Sequence, residues 1–556
     1  MPDHPFGWLS IAPPLATVVL AIVTKRAIAS LLAGIFVGAL ILAQGNVGAA
    51  AIATFETHLW PTFVDPFKLR VLGFTLLMGA TIGVVNRSGG MHGLVQLIAP
   101  LAKTRRRGQL VTWMAGLFVF FDDYTNTLLL GATMRPTCDR LRISREKLAY
   151  IVDSTAAPVA GLALLSTWVA IEIQFIQDGL DAAQPEIVGE LTAVGIFLGC
   201  LPYRFYITQA LLFVPLLAIV GRDFGPMRHA EQAAIDSATQ PAGGATSAAP
   251  NPAEEIRASH WTNAVVPLAT TLAVVVVLLI ATGRAACEAN EMPQTLRNVF
   301  GQADSALALF YGSLAGLIVA SLMAVGRRLM PVEAVSDAAY AGVRSVLPAL
   351  LILWFASTLS GMTRGDHEPG VASYPNTAEQ LYTGDFLQSL LPMADDGKSV
   401  SPAVAVSLPT VIFLLASAVA FSTGTSFGTM GILLPVVAPI ALLSLGPVAG
   451  DGASTPLLMA TFGGVLSGAI FGDHCSPISD TTILSSQSSG CDHVAHVVTQ
   501  LPYALTVALV SIALGTAPLA MGVSVWILLP LQTTALVGIA LLLGKPIEER
   551  NEKSEE

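Results

Sequence analysis

The chain has 556 residues, 53% of them hydrophobic and only 12% charged, with a mean hydropathy of +0.67. Apolar content this high and this blocky excludes an ordinary soluble domain and places the chain in a membrane. A formal net charge of −10 excludes a nucleic-acid partner, which would need clustered excess Lys and Arg.

Apolar stretches of about 17–25 residues recur along the chain, each long enough to cross a hydrocarbon core of about 30 Å as a helix; a β-barrel would show short alternating segments instead. In chain order the predicted spans are about 8–24, 27–43, 69–86, 148–172, 203–221, 262–282, 304–326, 343–360, 457–489, 500–520 and 524–543. The fold class is therefore all-α: a polytopic membrane protein of about 11 transmembrane helices. The opening MPDHPFGWLS has no basic n-region and no A-x-A-like site, so the first span is expected to be retained. Two further apolar stretches, about 109–134 and 403–447, have polar or Gly-rich centres. The segment 222–260, rich in Ala, Gly, Ser and Pro, reads as a flexible cytoplasmic linker between a first half, 1–221, and a second half, 261–523; residues 524–556 form a last helix and tail.

Basic residues orient these elements, because short cytoplasmic loops carry excess Lys and Arg. Lys25 and Arg26 put the N-terminus outside. Arg87, Lys103 and Arg105–Arg107 precede the 109–134 stretch, and Arg135, Arg140, Arg142, Arg145 and Lys147 follow it. Both flanks thus belong in the cytoplasm, which a re-entrant hairpin satisfies and a single crossing does not. The span 148–172 then leads to an outer loop with Asp178, Asp181, Glu186 and Glu190. The long loop 361–401 falls outside, the 403–447 hairpin enters from the outside, and the tail KPIEERNEKSEE is cytoplasmic. The two halves match in order, with Asp122–Thr127 answered by Ser422–Ser426 and Asp153–Pro158 by Asp473–Pro477. Inverted-topology repeats whose interrupted helices meet near the midplane are the mark of secondary transporters.

The chemistry concentrates at those interruptions. Non-helical backbone at membrane depth is tolerated only when buried in protein or lining a cavity. In FFDDYTNTLLLG the adjacent Asp122 and Asp123 cannot share one helix face, so at least one belongs to the turn, and Thr125, Asn126 and Thr127 add neutral oxygens. Asp153, Ser154 and Thr155 sit at the first predicted helix break. Ser422, Thr423 and Thr425 line the second hairpin tip. Asp473, His474, Ser476, Ser479, Asp480 and Thr481 surround Pro477 at the second break. Oxygen-rich surroundings of this kind suit a small cation, and a buried acid can exchange a proton for it. The Na⁺ candidates are Asp122, Asp123, Asn126, Asp153, Thr423, Thr425, Asp473 and Asp480, and no Lys or Arg is evident within the spans. Exposed helix N-termini would favour an anion, so both ligand classes stay open. Cys475 and Cys491 with His474, His493 and His496 lack the paired spacings of a zinc site. No phosphate-loop pattern is present, no cofactor is expected, and Arg-rich loops could contact anionic lipid.

Together, GDHCSPISDTTILSS, FSTGTSFGTMGILLPVVAPI, FFDDYTNTLLLG and YIVDSTAAPVAGLALLSTW resemble the NhaC-type sodium/proton antiporter family, a branch of the ion-transporter superfamily. The resemblance covers most of both halves. It implies a non-enzymatic secondary transporter of the bacterial inner membrane, exchanging Na⁺ for H⁺, commonly as a homodimer whose transport unit slides against a scaffold. It carries Asp122, Asp123, Thr125, Asn126, Thr127, Asp153, Thr423, Thr425, Asp473, Ser476 and Asp480 into the site. Some relatives exchange organic acids such as malate and lactate. Thr-Asn-Thr at 125–127 is similar to the Ser-Asn-Thr hairpin tips of sodium-coupled carboxylate carriers, so a carrier of a small organic acid or amino acid is the alternative.

Overall fold

Each long apolar run becomes a helix, because no backbone N–H or C=O can be left without a partner in hydrocarbon. The computed structural model describes residues 4–24, 26–164, 166–183, 188, 191–236, 259–289, 293–294, 299, 303–363, 376–383, 386, 402–445 and 456–547. Most of loop 361–401, the central part of the expected linker, Glu186, Glu190 and the end of the tail lie outside those residues. Among the described residues nine helices are long and apolar enough to cross a membrane, or eleven if each of two bent pairs counts as one crossing.

The first half opens with α1 (Ala12–Thr24) and α2 (Ala27–Leu42), followed by short helices Val47–Ala53 and Trp60–Val64 that the hydropathy reading did not anticipate. Next comes α3 (Pro66–Arg87). The first hairpin is α4 (Arg105–Phe118) and α5 (Asp123–Arg140), and the first bent pair is α6 (Arg145–Leu162) and α7 (Thr167–Asp181), meeting at 53°. A second bend of 46° separates Ala193–Tyr203 from α8 (Phe205–Val220). The second half contains α10 (Thr262–Ala289), α11 (Ser305–Gly326) and α12 (Val332–Thr363), then the hairpin α13 (Pro402–Thr423) and α14 (Ser426–Leu445). It ends with α15 (Pro456–Cys475), α16 (Asp480–Ser489), α17 (His493–Ser511) and α18 (Val525–Leu543). Each half thus runs hairpin, then interrupted helix, as the sequence pattern suggested.

Two packing groups result. Helix α3 lies against α11 and α12, and α10 against α11. The hairpins and interrupted helices form the other group, in which α5 packs on α6 and α16 while α14 packs on α7 and α15. Helices α13 and α15 approach most closely through Gly464, Gly468 and Gly472, spaced four apart. A Cβ on Gly468 would stand 2.4 Å from the Phe413 carbonyl, and one on Gly472 would stand 2.3 Å from that of Ser417. Small residues let backbones touch where lipid supplies no hydrophobic drive between helices.

Four expectations change. The segment Asp153–Pro158 is not a break: α6 runs through Pro158 to Leu162, and the chain interrupts at 163–166, where the Ser166 hydroxyl caps α7 by accepting from the Trp168 and Val169 amides, both at 3.2 Å. Asp178 is not in an outer loop but on α7, and it is only 3% exposed. The linker does not begin at 222: Arg222–Asp223 (β1) pairs antiparallel with Lys545–Pro546 (β2), and Gly225–Asp236 is a helix, α9, burying Met227, Glu231 and Ile235 one turn apart. A basic residue does occur within a span, Arg204, fully buried at the 46° bend; Lys147, in the first turn of α6, is buried against Asp223 at 2.6 Å.

Beside α9, Glu231 accepts from Arg105 at 2.6 Å and from the Ser144 amide at 2.7 Å. Burial, reinforced by Asp223, pushes the Glu231 carboxyl above its ordinary range, against the pull of Arg105 and Lys147. This clasp ties α9 to the basic ends of the first hairpin and of α6.

Candidate functional site

Each hairpin tip docks on the interruption of its own half. The Phe121 carbonyl, freed at the first tip, accepts from the Thr167 amide at 2.9 Å. In the second half the Phe421 carbonyl accepts from the Ser476 hydroxyl at 2.8 Å. Gly424 turns the second tip at φ +66°, and a Cβ there would lie 2.6 Å from the Ile478 carbonyl, so the tip sits directly on the α15–α16 break.

At the first tip Asp122 is the N-cap of α5. Its carboxylate accepts from the Thr125 amide at 2.8 Å and the Thr125 hydroxyl at 2.7 Å, with Thr167 Oγ1 at 3.4 Å. Asp123 follows as the first residue of α5, 2% exposed, with Oδ1 buried and without a hydrogen-bond partner. The two acids therefore diverge at a turn, as their adjacency required. Asn126 has a different role from a simple ligand: its Nδ2 lies 2.9 Å from the Gly116 carbonyl, 3.2 Å from Val119 O and 3.0 Å from Thr155 O, stapling the hairpin to α6. Only its Oδ1 remains without a partner. Thr127, Thr155, Ser422 and Thr423 bond to carbonyls of their own helices and contribute no hydroxyl hydrogen to a ligand.

Deeper in the molecule Asp153 is fully buried, and all its donors come from the second half. Gln500 Nε2 donates to Oδ2 at 2.6 Å and the Thr482 hydroxyl to Oδ2 at 3.2 Å; Ser485 Oγ lies 3.2 Å from Oδ1 and shares its hydrogen with the Thr481 carbonyl at 2.7 Å. His496 Nε2 stands 3.6 Å from Oδ2, too far for a good hydrogen bond. Asp473, 3% exposed, accepts from Thr481 Oγ1 at 2.9 Å, and Ser479 Oγ lies 3.1 Å from that hydroxyl. Thr481 and Thr482 are neighbours on α16, so this one turn of helix joins the two acids. His474 Nδ1 lies 3.0 Å from the Tyr206 hydroxyl, and His474 and Ser154 line a small cavity together with Tyr150, Gln500 and Tyr503.

A pocket lies above these groups. Asp122, Asp123, Tyr124, Thr167, Thr425 and Asp480 contribute to its lining, together with α12, and its volume is about 40 Å³. The Tyr124 hydroxyl donates to Asp480 at 3.3 Å. The pocket adjoins a wider cleft of about 410 Å³ between the first hairpin and the α3–α12 pair, lined by Asn86, Arg87, Asp122, Tyr124 and Thr125 among others. Three acids and both hairpin tips are thus brought to one cavity, while Asp153 and Asp473 form a second cluster beneath it.

Sequence reading missed Gln500, His496 and Ser485 around Asp153, although His496 and Gln500 recur at i and i+4 on an otherwise apolar helix. It also missed Glu172 and Arg204. These pair at 2.9 Å with no exposure on either side chain, close enough for an ion pair but without the alignment of a hydrogen bond. Arg204 also donates to the Gly161 carbonyl at 2.5 Å, near the end of α6.

Comparison with known proteins agrees with this architecture. A profile described as the Na⁺/H⁺ antiporter family matches residues 159–369 and 398–517, taking in the second hairpin, Asp473 and Gln500. An uncharacterized protein of Haemophilus influenzae is 32% identical over 508 residues, 90% of this chain and 88% of that protein. The malate-2H⁺/Na⁺-lactate antiporter of Bacillus subtilis is 33% identical over 168 residues, 27% of this chain and 32% of its own. An uncharacterized Na⁺/H⁺ antiporter of Haemophilus influenzae is 38% identical over 110 residues, 19% and 21% of the two chains. With the profile spanning more than half of its length, this multi-pass membrane protein is a secondary transporter and belongs to the Na⁺/H⁺ antiporter family.

Proposed function

We propose that the protein exchanges cytoplasmic Na⁺ for external protons by alternating access, with the hairpin-bearing group moving against the α3–α12 group in an elevator-like manner. The observation that carries this reading is the pair of buried acids, Asp153 and Asp473, drawn from opposite halves and joined through Thr481 and Thr482. A carboxylate desolvated at this depth is costly unless a proton or a cation neutralises it, and the two compete for the same oxygens. Surrounding hydroxyl and amide oxygens offer the hard ligands a small cation prefers, with Asp122, Asp123 and Asp480 beside the cavity as entry groups. The basic residues flanking the first hairpin support a cleft mouth at Arg87 that faces the cytoplasm, with the N-terminus outside, and a bacterial inner membrane is the expected setting.

In proteoliposomes carrying a preset pH gradient, added NaCl is expected to dissipate the gradient. No sodium response in the wild-type protein would sink the assignment. A second reading, exchange or coupled transport of a small organic acid, draws on the cleft of about 410 Å³, larger than one cation needs, and on the malate/lactate relative. Uptake of labelled malate or lactate that requires a sodium or proton gradient, and is lost in Asn126→Ala, would favour it instead.

A further inference from the structure

Three helices carry the cavity described above from the wide cleft to the narrower pocket. On α12 the wide cleft is lined by Ala338, Ala341, Gly342 and Ser345, and the narrower pocket by Val346, Pro348 and Ile352. On α3 the cleft lies at Ile82–Arg87 and the pocket at Thr75; on α7 the pocket lies at Thr167 and Ile171. Continuing the same way along all three leads to Ser357 and Ser360, Lys68 and Asp178. At about 1.5 Å per residue, these lie roughly 18 Å beyond Ser345, 28 Å beyond Arg87 and 16 Å beyond Thr167.

There, about two helical turns past the last residues that line the pocket, a polar seal joins α7 to α3 and α12. Asp178 Oδ1 lies 3.4 Å from Lys68 Nζ and accepts from Gln174 Nε2 at 2.8 Å. Its Oδ2 accepts from the Ser357 hydroxyl, and its backbone carbonyl accepts from the Ser360 hydroxyl at 2.9 Å. The carboxylate is 2% exposed and Lys68 is 22% exposed, so the pair straddles buried protein and the surface. Beside it α14 packs tightly on α7 and α12: a Cβ on Gly431 would meet Phe175 at 2.8 Å and Ala356 at 3.1 Å. Asp178 and Gln174 belong to the interrupted helix of the moving group, whereas Lys68, Ser357 and Ser360 belong to the α3–α12 group.

We infer that Asp178, Lys68, Ser357 and Ser360 form the outer gate of the transport pathway, holding this conformation closed on the face opposite Arg87. A buried ion pair is weak support for stability but a good switch, because each partner left alone is costly and the pair forms in only one of two arrangements. Whatever the cargo, opening that face must separate α7 from α3 and α12. The inference therefore stands apart from the choice between Na⁺ and an organic acid.

The test is sided thiol labelling of the full-length protein in proteoliposomes. Ile352→Cys places a thiol in the pocket just inside the seal, and a membrane-impermeant maleimide is applied from one face at a time. Peptide mass spectrometry separates that thiol from the native cysteines. Adding Asp178→Asn is expected to raise its labelling rate from the face opposite Arg87 by about tenfold, within the range of about 5–150-fold typical of conformational couplings. Labelling from that face that does not change, or that rises equally from both faces, overturns the gate. Ser357→Ala, which keeps the ion pair, is expected to act in the same direction by a smaller factor. If Asp178→Asn does not fold, Lys68→Gln and Ser357→Ala decide the matter by the same two criteria.

Discussion

Replacing Asp153 with Asn is expected to abolish sodium-driven dissipation of a pH gradient in proteoliposomes, with a loss of at least about 100-fold, equivalent to about 2.8 kcal/mol. Two effects act together. The amide carries no charge to trade between a proton and a cation. It also turns one acceptor edge into an N–H₂ group facing donors, because Gln500 and Thr482 both present hydrogens to Asp153 Oδ2. Opposed donors in a dry site cost about 1–3 kcal/mol. Gln500→Glu in the Asp153→Asn background restores a carboxylate to the cluster with its donor and acceptor exchanged. It is expected to recover folding, read as monodispersity in detergent, without recovering exchange. Exchange by Asp153→Asn at the wild-type rate would exclude Asp153 from the site.

Arg204→Ala is expected to be the most destabilising single substitution in the first half, at about 3–5 kcal/mol, because it strands Glu172 as an unpaired buried charge. Glu172→Gln is expected to be damaging as well, since it removes the counter-charge of Arg204 and leaves neutral partners such as the Gly161 carbonyl, the Cys200 sulfur at 3.6 Å and the Phe197 ring. The double variant Glu172→Leu/Arg204→Met is expected to return to within about 1–2 kcal/mol of the wild type, since apolar replacement of a whole buried pair is often neutral. Thermal unfolding of all three in detergent measures the cycle. If Arg204→Ala melts like the wild type, the pair has no structural role.

Much of this was legible in the sequence, for identifiable reasons. The first hairpin could be read because both its flanks are basic, and one crossing cannot put both on the same side. Adjacent Asp122 and Asp123 required a turn, and the chain turns there. Pro158 misled: a single missing N–H does not break a helix whose neighbours supply partners, and Asn126 of the hairpin reaches the adjacent Thr155 carbonyl. The real interruption is written in Ser166, a capping residue that hydropathy does not detect. Asp178 was read as loop because a hydropathy window ends at the first acids, whereas α7 continues past them once Lys68 and Ser357 satisfy the carboxylate. Gln500 and His496 were passed over because a span placed at 500–520 leaves them at its margin, while the helix begins at His493. The partners of Asp153 are set by tertiary packing, and no local pattern encodes them.

The cage around Asp153 also governs the order in which this protein can be made. Its donors are 329, 332 and 347 residues downstream, so the acid enters the lipid long before any of them has left the ribosome. Until α16 and α17 arrive, the first half has to keep that carboxyl hydrated or protonated, and the crevice around it cannot close. The fold is therefore committed late. Assembly waits for nearly the whole polypeptide, and a chain that terminates early is left with an open, wettable seam that quality-control proteases in the membrane could recognise.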